Sequence, residues 1–549
     1  MEQEILKLCM GRGFLLDREM LEMFSNLTEE YLSKVVETIG CLGIEERIIT
    51  KNIFNKHLEK FKNLIFLDPE GEKIMEFFLK IDGLGFGKRL EINNLENGEL
   101  EGENLPGKVK LISAPAFSQG KIEVRDFVNH FRSRYIMLKK ILEEKNFNNL
   151  SSIRKIGGGR GTYTIIAAVL NKRITKNKNL FLEVEDMTGV ASVLINQNKK
   201  EVFEKGKEIL KDDIVAFSVS GTGEMLFAND VFYPDSSLPE KRYSEYDEYV
   251  AFISDIHAGS TMFLEKNLLK FVKWLNGEEG GPEQRKIASK VKYLFMNGDN
   301  VDGVGVYPGQ DRFLDIKDMR RQYKKIIDII KLIRKDVQIL VSPGQHDAVW
   351  VGEPQPIIGE EWAPGFYGMD NVTLIPNPSL VEIDGGFKIL NYHGASMHGI
   401  IEEIEEIRLN YGHDSPTRVV KEMLKRRHLA PTHGLCDYIP CEKDPLVIDI
   451  VPDILITGDQ HRVEVSTYNN ILLIASSCWQ SQTPFEEKVG NNPDPCKVPL
   501  FNLKTREVKI LDFSEGFKHG NVSIDSDVDI EFESDFSPVN SGEETLENG

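Results

Sequence analysis

Five apolar stretches of the chain are each followed, within a few residues, by glycine and by aspartate or histidine. The stretches are 249–253, 291–296, 337–341, 387–392 and 454–457. The polar residues that follow them are Asp255 and His257, Asp299 and Asn300, Gln345, His346 and Asp347, His393, and Asp459 and His461. Short apolar runs that end abruptly are typical of buried strands, and the loops after such strands often hold ligands for a divalent ion. The pattern therefore predicts a metal site.

The chemistry expected at this site follows from the kinds of donor. Carboxylates mixed with neutral imidazoles suit Mn²⁺, Fe²⁺ or Zn²⁺ better than Ca²⁺, which prefers oxygen alone. Two ions roughly 3.5–4 Å apart stabilise both the attacking and the leaving oxygen of an in-line displacement at phosphorus. One ligand must then bridge the pair, and Asp299 offers two carboxylate oxygens for this. The residues thus predict phosphodiester hydrolysis with two divalent ions, Mn²⁺ being preferred and Mg²⁺ or Fe²⁺ the alternatives.

The elements that must position these residues are strands alternating with helices. Helical patterns at 264–275 and 319–333 fall between the apolar stretches, as alternating layers of helix and sheet require. Residues 241–515 are therefore predicted to form one α/β sandwich that carries the metal site.

Residues 121–240 show a different pattern. An amphipathic lead helix is predicted around 124–142, and β-rich stretches then follow in the order strand, strand, strand, helix, strand. This is the order of an OB-fold barrel, a fold that often binds single strands of nucleic acid. Lys172 and Arg173 at the first predicted turn are candidates for DNA contact, and Tyr163 and Phe181 are candidate stacking rings. The alternative is that the basic residues are only solvated and the rings belong to the barrel core.

The two ends of the chain differ from its centre in composition. Residues 1–65 are predicted to form a small helical module, and residues 66–120 a partly mobile linker, because 93–107 is rich in Asn, Glu and Gly. Residues 516–549 contain nine acidic side chains and one basic one, and are predicted to be a disordered acidic tail. The chain as a whole is predicted to be a multidomain α/β protein.

Overall composition excludes some classes of function. The chain has 549 residues and a net charge of −20, which argues against a protein that coats nucleic acid by bulk charge. No apolar run approaches the ~20 residues that cross a bilayer, and the first residues lack the layout of a signal peptide, so a cytoplasmic protein without membrane contact is expected. The six cysteines form no CxxC pair, so reduced thiols are expected.

The order of the motifs DxH, GDN, GxHD, HG and GxxH resembles the calcineurin-like metallophosphoesterase superfamily. The longer stretches 298–310 (GDNVDGVGVYPGQ), 343–356 (PGQHDAVWVGEPQP) and 427–434 (RHLAPTHG) resemble the small subunits of archaeal family-D DNA polymerases. The resemblance covers roughly 125–515. It implies a calcineurin-like phosphoesterase domain behind an OB-fold domain and a 3′→5′ exonuclease that proofreads DNA. The implied partners are a large catalytic subunit, DNA as single-stranded 3′ ends and primer-template, and a sliding clamp.

The resemblance also implies roles for individual residues. One metal ion is expected on Asp255, His257, Asp299 and His461, and the second on Asp299, Gln345, His393 and Asp459. His346 is expected to steady the scissile phosphate and protonate the leaving 3′-oxygen, and Asp347 to orient its imidazole. Apart from the resemblance, substrate contacts are expected from Asn300, Arg462, Lys172 and Arg173, and for Arg462 a plain salt bridge is the alternative. His398, His413 and His433 are expected at the surface or behind the ligands.

Two positions depart from the superfamily pattern, and both fall on the same ion. Gln345 stands where the superfamily has Asn, and Asp459 where it has His. Either residue can still bind a metal, but the exchange favours Mn²⁺ or Mg²⁺ over Zn²⁺ at the second position. The departures keep two alternatives open, a catalytically weakened scaffold subunit of the polymerase and a stand-alone metal-dependent phosphodiesterase.

Overall fold

The computed structural model describes residues 2–12, 14–16, 29–40, 48–49, 108–116, 121–223, 225–514 and 530–533, with single positions between 20 and 61. The chain divides into two compact units, residues 1–99 and 100–549. Most of the predicted linker and most of the predicted acidic tail lie outside the described residues. No described helix is long and apolar enough to cross a membrane.

The described strands and helices are numbered here in chain order. The strands are β1 (Leu15–Leu16), β2 (Ile48–Ile49), β3 (Val109–Ser113), β4 (Gly161–Ile174), β5 (Leu180–Asp186), β6 (Gly189–Ile195), β7 (Ile214–Gly221), β8 (Leu226–Phe232), β9 (Tyr249–Ile253), β10 (Val291–Asn297), β11 (Gln338–Ser342), β12 (Val372–Leu374), β13 (Ser379–Ile383), β14 (Phe387–Asn391), β15 (Ile454–Thr457), β16 (Glu464–Tyr468), β17 (Ile471–Ala475), β18 (Lys497–Asn502), β19 (Val508–Asp512) and β20 (Ile530–Glu533). The helices are α1 (Glu2–Gly11), α2 (Glu29–Gly40), α3 (Val124–Glu143), α4 (Lys200–Lys207), α5 (Glu265–Leu275), α6 (Pro282–Ser289), α7 (Met319–Ile330), α8 (Pro364–Tyr367), α9 (Met397–Glu403), α10 (Glu405–Asn410), α11 (Pro416–Arg426) and α12 (Pro484–Val489).

The first unit contains α1, α2 and the short parallel pair of β1 and β2. Its buried side chains include Ile5, Leu32, Val35 and Phe61. These elements fall in the region predicted as a helical module, and its status as a separate functional module stays a prediction.

Strands β4 to β8 form a closed barrel in the order β4-β5-β6-β8-β7. Helix α4 lies between β6 and β7, so the predicted order of three strands, a helix and a strand is present. The fifth strand, β8, was not predicted, because Asn229 and Asp230 interrupt its apolar pattern. The assignment of this barrel as an OB fold stays a prediction.

Two stacked sheets form the rest of the second unit. One has seven strands in the order β12-β11-β10-β9-β18-β19-β20, and the other has six in the order β16-β17-β15-β14-β13-β3. Apolar side chains from both sheets, such as Phe252, Phe295, Ile389 and Ile456, make one core between them. Helices α5 and α7 cover the outer face of the first sheet, and α9 and α11 that of the second. The predicted α/β layering is therefore present, as helix, sheet, sheet and helix.

The structure differs from the predicted domain limits at two edges. Strand β3, inside the predicted linker, pairs antiparallel with β13, so the six-stranded sheet begins before residue 121. Strand β20, inside the predicted disordered tail, pairs in parallel with β19. Ile530 and Phe532 alternate with acidic residues there, and this strand pattern is hidden when only the acidic side chains are counted.

Buried ion pairs join the barrel and its lead helix to the stacked sheets. Arg426 of α11 donates from Nε to Asp213 Oδ1, 3.0 Å away, beside β7. Arg134 of α3 donates to Asp444 Oδ2 at 2.6 Å, and His428 Nε2 lies 3.0 Å from the same oxygen. Burial and the charge of Arg134 lower the pKa of His428 to about 4, so this histidine is neutral. A charged group buried in this way destabilises the fold unless an oppositely charged partner compensates it.

We expect the Arg426–Asp213 pair to be essential for stability. Arg426→Met leaves the Asp213 carboxylate buried and uncompensated, which should lower the free energy of unfolding by about 3–5 kcal/mol. Adding Asp213→Asn removes that charge and should recover a large part of the loss. Guanidinium unfolding of both variants measures this, with the exposed Arg125→Met as a control expected to change stability by less than about 0.5 kcal/mol. Equal losses in the single and double variants would contradict this explanation.

Candidate metal centre

The five predicted strand ends meet in one place. Strands β9, β10 and β11 are parallel neighbours in the first sheet, and β14 and β15 are parallel neighbours in the second. Because the carboxyl ends of parallel strands lie at the same edge of a sheet, the loops after all five strands can meet at one edge of the stack. The predicted strands are thus confirmed, and they position the polar residues that follow them.

The backbone at this edge is unusual. Five of the predicted metal ligands have left-handed backbone with φ between 47° and 65°, namely Asp255, His257, Asp299, Asp459 and His461. Non-glycine residues adopt this region rarely, and such strain tends to gather at functional sites. Glycine is required beside them, since a Cβ on Gly298 would lie 2.2 Å from His393 Nδ1 and one on Gly344 2.2 Å from Asp299 Oδ1.

The first cluster of donor atoms joins the ends of β9 and β15. His257 Nε2 lies 3.2 Å from His461 Nε2, and His461 Nε2 lies 3.4 Å from Asp255 Oδ1. His257 Nε2 is also 4.0 Å from Asp299 Oδ2. Two imidazole nitrogens and two carboxylates therefore point at one small volume, and their role as ligands of the first ion stays a prediction.

The second cluster shares two carboxylates with the first. His393 Nε2 lies 3.2 Å from Asp299 Oδ2 and 3.9 Å from Asp255 Oδ1. Asp299 Oδ2 is thus near histidines from both sheets, which is the position that a bridging ligand needs. Burial alone lowers the pKa of His393, but the nearby Asp299 and Asp255 carboxylates hold it well above the ordinary value.

The second ring nitrogen of each of these histidines lies close to an oxygen atom. Nδ1 of His393 lies 2.7 Å from the carbonyl oxygen of Asn297, and Nδ1 of His461 lies 2.8 Å from Glu486 Oε1. His257 Nδ1 lies 3.2 Å from Asp302 Oδ1 as an ion pair, without the geometry of a hydrogen bond. A hydrogen bond to Nδ1 fixes the ring and leaves Nε2 to face a metal.

The sequence analysis predicted no role for Asp302 and Glu486, whose carboxylates lie next to the rings of His257 and His461. Asp302 stands three residues after Asp299 in the GDNVD motif. Glu486 is the fourth residue of Thr483-Pro-Phe-Glu, a capping box at the start of α12, in which Thr483 Oγ1 accepts from the Glu486 amide at 3.2 Å. A capping box can be recognised in a sequence, but its proximity to His461 cannot.

The two residues that depart from the superfamily pattern contact each other. Gln345 Nε2 donates to Asp459 Oδ1 at 3.0 Å, and Asp459 Oδ2 accepts from Gln460 Nε2 at 3.0 Å. Gln345 Oε1 and His393 Nε2 are buried and have no hydrogen-bond partner among the described residues. Unpartnered buried polar atoms are rare, and a bound cation would satisfy both. The donor set and these two atoms fit divalent ions.

His346 lies beside the clusters and is partly exposed. Its Nδ1 donates to the carbonyl oxygen of Asp302 at 2.7 Å, and its Nε2 lies 4.0 Å from Asp299 Oδ2. Its ring also meets the His257 ring edge to face, with centroids 4.8 Å apart. Nε2 therefore faces the site from outside the ligand cluster, where a substrate can reach it.

Asp347 does not make the predicted contact with the His346 ring. Its Oδ1 accepts from the Tyr323 hydroxyl at 2.7 Å, and its Oδ2 accepts from the amides of Gly344 and Asn300 at 2.9 and 3.2 Å. Burial, together with the charge of Asp299, raises the pKa of this carboxyl to about 6. Asp347 therefore connects two ligand-bearing loops by hydrogen bonds. The His346 ring is oriented by the carbonyl oxygen of Asp302 and not by Asp347.

The predicted substrate residues mostly contact other residues of this chain. Asn300 is buried, and its Nδ2 donates to Ser342 O at 2.8 Å. Arg462 donates to the carbonyl oxygen of Asn492 and pairs with Asp414 at 3.3 Å. Lys172 Nζ donates to the carbonyl oxygen of Ile209 at 2.7 Å, and the Arg173 guanidinium lies over the Phe181 ring at 4.4 Å. Their roles in binding DNA stay predictions.

His398 and His413 lie next to the second cluster. His398 Nε2 is 3.3 Å from Asp459 Oδ2, and the two histidine rings are 4.8 Å apart. Burial raises the pKa of the Asp459 carboxyl, but His398 and His393 together lower it below the ordinary value. These histidines are therefore behind a predicted ligand, as expected, whereas His433 lies against Tyr438 and Phe131.

Glu353, in the loop after His346, is fully buried. Its carboxylate accepts from the Tyr392 hydroxyl at 2.9 Å and from Asn377 Nδ2 at 3.3 Å. Burial raises the pKa of Glu353 to about 7. Because Asn377 Oδ1 accepts from the His393 amide at 2.9 Å, Glu353 lies behind the loop that carries a predicted metal ligand.

Comparison with known proteins agrees with this architecture. Residues 250–466, which include all the strand ends of the metal centre, match the family of DNA polymerase alpha/epsilon B-subunits. The match indicates the class of protein, one of the subunits that make up a DNA polymerase.

Relatives that align over most of their length narrow this class. The chain is 38% identical to the DNA polymerase II small subunit of Methanothermobacter thermautotrophicus over 71% of this chain and 80% of that protein. It is 36% identical to the Pyrococcus furiosus protein of the same name over 90% of this chain and 82% of that one. The chain therefore belongs to the family of archaeal DNA polymerase II small subunits, the small subunits of family-D DNA polymerases.

Solved structures with a similar fold are far more distant. They include zinc-bound Vps29 of Entamoeba histolytica, 14% identical, with a TM-score of 0.22 over 48% of this chain and 99% of that one. A predicted phosphoesterase of Streptococcus pneumoniae is 12% identical, with a TM-score of 0.21 over 49% of this chain and 92% of that one.

Gln345 and Asp459 should act as one unit in metal binding. Asp459→His replaces an anionic oxygen by a nitrogen and should tighten the second ion, but it also removes the acceptor that holds the Gln345 amide. The double variant Gln345→Asn/Asp459→His should therefore bind that ion more tightly than the two single effects predict. Calorimetry with Mn²⁺ and Zn²⁺ measures the coupling, for which residues in direct contact give about 0.5–3 kcal/mol. Strictly additive effects of the two substitutions on the free energy of metal binding would contradict this coupling.

Glu353 should make stability depend on pH. Its pKa is raised from 4.5 to about 7 on folding, so the folded chain keeps a proton that the unfolded chain has released. The free energy of unfolding should therefore fall as pH rises from about 4.5 through 7, by up to about 3 kcal/mol.

Glu353→Gln should remove this part of the pH dependence, and Glu283→Gln, at an exposed position of α6, should leave it unchanged. Denaturant unfolding at pH 5 and pH 8 makes the comparison. The same pH dependence in wild type and Glu353→Gln would exclude Glu353 as its source.

Proposed function

We propose that this chain is the metal-dependent 3′→5′ exonuclease of a two-subunit DNA polymerase, which hydrolyses phosphodiesters at DNA 3′ ends. The observation that carries the proposal is the arrangement around Asp299, where donors from both sheets converge and His346 faces the same oxygen from the open side. This arrangement has the parts that phosphodiester hydrolysis needs.

The ligands proposed for the ions follow from these contacts. Asp255, His257, Asp299 and His461 would hold one ion, and Asp299, Gln345, His393 and Asp459 the other. When bound, divalent ions neutralise charge on the phosphate oxygens and lower the pKa of water. Mn²⁺ is the proposed ion and Mg²⁺ or Fe²⁺ are the alternatives, since Gln345 and Asp459 add oxygen donors to the second set.

His346 is proposed as the general acid. The Asp302 carbonyl accepts the proton on Nδ1, so Nε2 is the nitrogen that can exchange a proton with the substrate. As water adds to phosphorus and releases a proton to solvent, the bond from phosphorus to the 3′-oxygen breaks, and a proton carried on Nε2 passes to that leaving oxygen. The ring is partly exposed, so solvent can restore the proton afterwards.

The proposed partner is a larger, catalytic polymerase subunit, because the relatives are named as small subunits of a polymerase. The proposed substrates are single-stranded 3′ ends and primer-template, with Arg462, Lys172 and Arg173 as candidate contacts and a sliding clamp as a further partner. Retention of the imidazole and carboxylate ligands argues against the alternative of a scaffold that has lost activity. The attached barrel argues against a stand-alone phosphodiesterase.

The decisive test is degradation of a 3′-mismatched primer-template and of single-stranded DNA in Mn²⁺ and in Mg²⁺. The chain is assayed alone and with the large subunit. His346→Ala should lower the rate by about 10²–10⁴-fold, since it removes a general acid. His433→Ala serves as the matched control, because His433 is exposed and its ring lies against Phe131 and Tyr438.

The outcomes separate the alternatives. Metal-dependent loss of 3′ nucleotides that His346→Ala abolishes supports the nuclease. Absence of cleavage in every condition, with both subunits folded and bound to each other, would instead favour the scaffold. Hydrolysis of bis-p-nitrophenyl phosphate without any action on DNA would favour the phosphodiesterase.

A further inference from the structure

The chain between β17 and β18 crosses from one sheet to the other at the edge that carries the metal centre. We name it the β17–β18 connection, and it consists of residues 476–496, including α12. Strand β17 is parallel to β15, so both end at the same edge, and β18 is antiparallel to β9, so it begins where β9 ends. The two ends of the connection therefore lie beside the strands that are followed by Asp255, His257 and His461.

The backbone of the β17–β18 connection contacts two of the proposed first-ion ligands directly. The Trp479 amide donates to the carbonyl oxygen of Asp255 at 2.8 Å, and the Asp494 amide donates to that of His461 at 2.8 Å. Both ligands have left-handed backbone, a conformation that persists only where the surroundings determine it. The connection supplies part of those surroundings through these two hydrogen bonds.

Two side chains of the β17–β18 connection extend these contacts to imidazole rings. Glu486 Oε1 lies 2.8 Å from His461 Nδ1. Gln480 Nε2 donates to Asp302 Oδ1 at 3.2 Å, and that oxygen lies 3.2 Å from His257 Nδ1. The connection therefore contacts the His461 ring directly and the His257 ring through Asp302.

Glu486 divides its two carboxylate oxygens between a predicted ligand and the fold of the connection. Its Oε2 accepts from the Thr483 amide at 2.7 Å and from the Thr483 hydroxyl at 2.9 Å, as part of the capping box of α12. Its Oε1 faces His461 and also accepts from Asn491 Nδ2 at 3.4 Å. Because Glu486 is buried, its carboxylate keeps this position only while α12 and its flanks are formed. A change in the connection therefore moves the group that orients His461.

The proposed ligands of the second ion are held by other parts of the chain. His393 Nδ1 lies 2.7 Å from the carbonyl oxygen of Asn297, and the His393 amide donates to Asn377 Oδ1 at 2.9 Å. Gln345 donates to Asp459. Within the part of the chain that the structure describes, no hydrogen bond or ion pair joins the β17–β18 connection to Gln345, His393 or Asp459. The two ion positions therefore differ in the elements that support them.

We propose that the β17–β18 connection positions the ligands of the first ion through Glu486, so that binding of this ion and order in the connection are coupled, while the second ion is bound independently of the connection. The inference rests on the proposed metal-dependent nuclease function and concerns the first of its two ions. A carboxylate behind an imidazole fixes the ring and makes it a stronger donor to a metal. Glu486 is thus a positioning residue for the first ion and not for the second.

Calorimetric titration of the full chain with Mn²⁺ tests this role apart from cleavage. Glu486→Ala should weaken the first ion by about 10–100-fold and leave the affinity for the second close to that of wild type. Asp459→Asn, which changes a proposed ligand of the second ion alone, shows which binding event belongs to which ion. Glu487→Gln is the matched control and should bind both ions like wild type, because Glu487 is the next residue of α12 and is exposed.

Two further variants separate the contact with His461 from the capping of α12. Glu486→Gln keeps an oxygen toward His461, so it should weaken the first ion less than Glu486→Ala but more than Glu487→Gln, and it decides the test if Glu486→Ala does not fold. Thr483→Val removes the hydroxyl of the capping box and keeps the Glu486 carboxylate. It should also weaken the first ion less than Glu486→Ala, and an equal loss would overturn the positioning role.

Hydrogen exchange tests the coupling itself. Peptides from 476–496 should exchange about 100-fold more slowly when Mn²⁺ is present at roughly 100 times the dissociation constant of the first ion, because opening of the connection then requires release of that ion. Glu486→Ala should lose most of this protection at the same Mn²⁺ concentration. Peptides from 282–289 in α6, which precedes the amino end of β10, should not change. Equal exchange of 476–496 with and without Mn²⁺ would overturn the coupling.

Cleavage of a 3′-mismatched primer-template, measured in parallel, separates this inference from the proposed nuclease function. Cleavage by wild type, together with unchanged affinity for both ions in Glu486→Ala and Glu486→Gln, would overturn the inference alone. Equal weakening of both ions would overturn it as well, since the second ion would then depend on the connection. Binding of both ions with the expected dependence on Glu486, but no cleavage under any condition, would refute the nuclease and leave the inference standing.

Discussion

The carboxylate of Asp299 lies between histidines from the two sheets and therefore requires the sheets to keep one relative position. Its Oδ2 lies 4.0 Å from His257 Nε2, which comes from the first sheet, and 3.2 Å from His393 Nε2, which comes from the second. These distances persist only if the two sheets keep one fixed stacking. The apolar core between the sheets provides that fixed stacking, since close-packed interiors resist sliding. The buried ion pairs of Arg426 and Arg134 then hold the barrel and lead helix to the same framework.

Local strain and buried polar contacts hold the donors in place on this framework. Left-handed backbone at a non-glycine residue costs on the order of 1–3 kcal/mol, and five predicted ligands adopt it. Strain of this kind persists where the surroundings determine the conformation. Here the surroundings are the Asn297 carbonyl behind His393, Glu486 behind His461, and Asp347 between two of the loops. The positions of the donor atoms are thus set both by the predicted ligands and by the residues that contact them from behind.

The parts of this arrangement that a sequence can predict are those with a local signal. Apolar runs ending in Gly with Asp or His located the ligand-bearing strands, because strand periodicity and strand ends are local features. Strands β8 and β20 were among those missed, because polar or acidic residues interrupt their apolar pattern. The acceptors behind the rings were missed for a different reason. Glu486 reaches His461 across 25 residues, and Asp302 reaches His257 across 45, so only the folded chain shows these pairs.

The contact between Gln345 and Asp459 changes how the two departures from the superfamily pattern are understood. Taken one at a time, each weakens the same ion and suggests a site in decay. In the structure the Gln345 amide nitrogen donates to Asp459 at 3.0 Å, and this fixes the amide so that Oε1 is left without a protein partner in a buried place. Random loss of a ligand would not produce a matched donor and acceptor. It would also remove the reason to keep strained backbone at Asp459 and His461. The pair is better explained as a joint change, in which an oxygen donor replaces nitrogen at position 459, the amide oxygen at position 345 is retained, and both predicted ligands keep their positions.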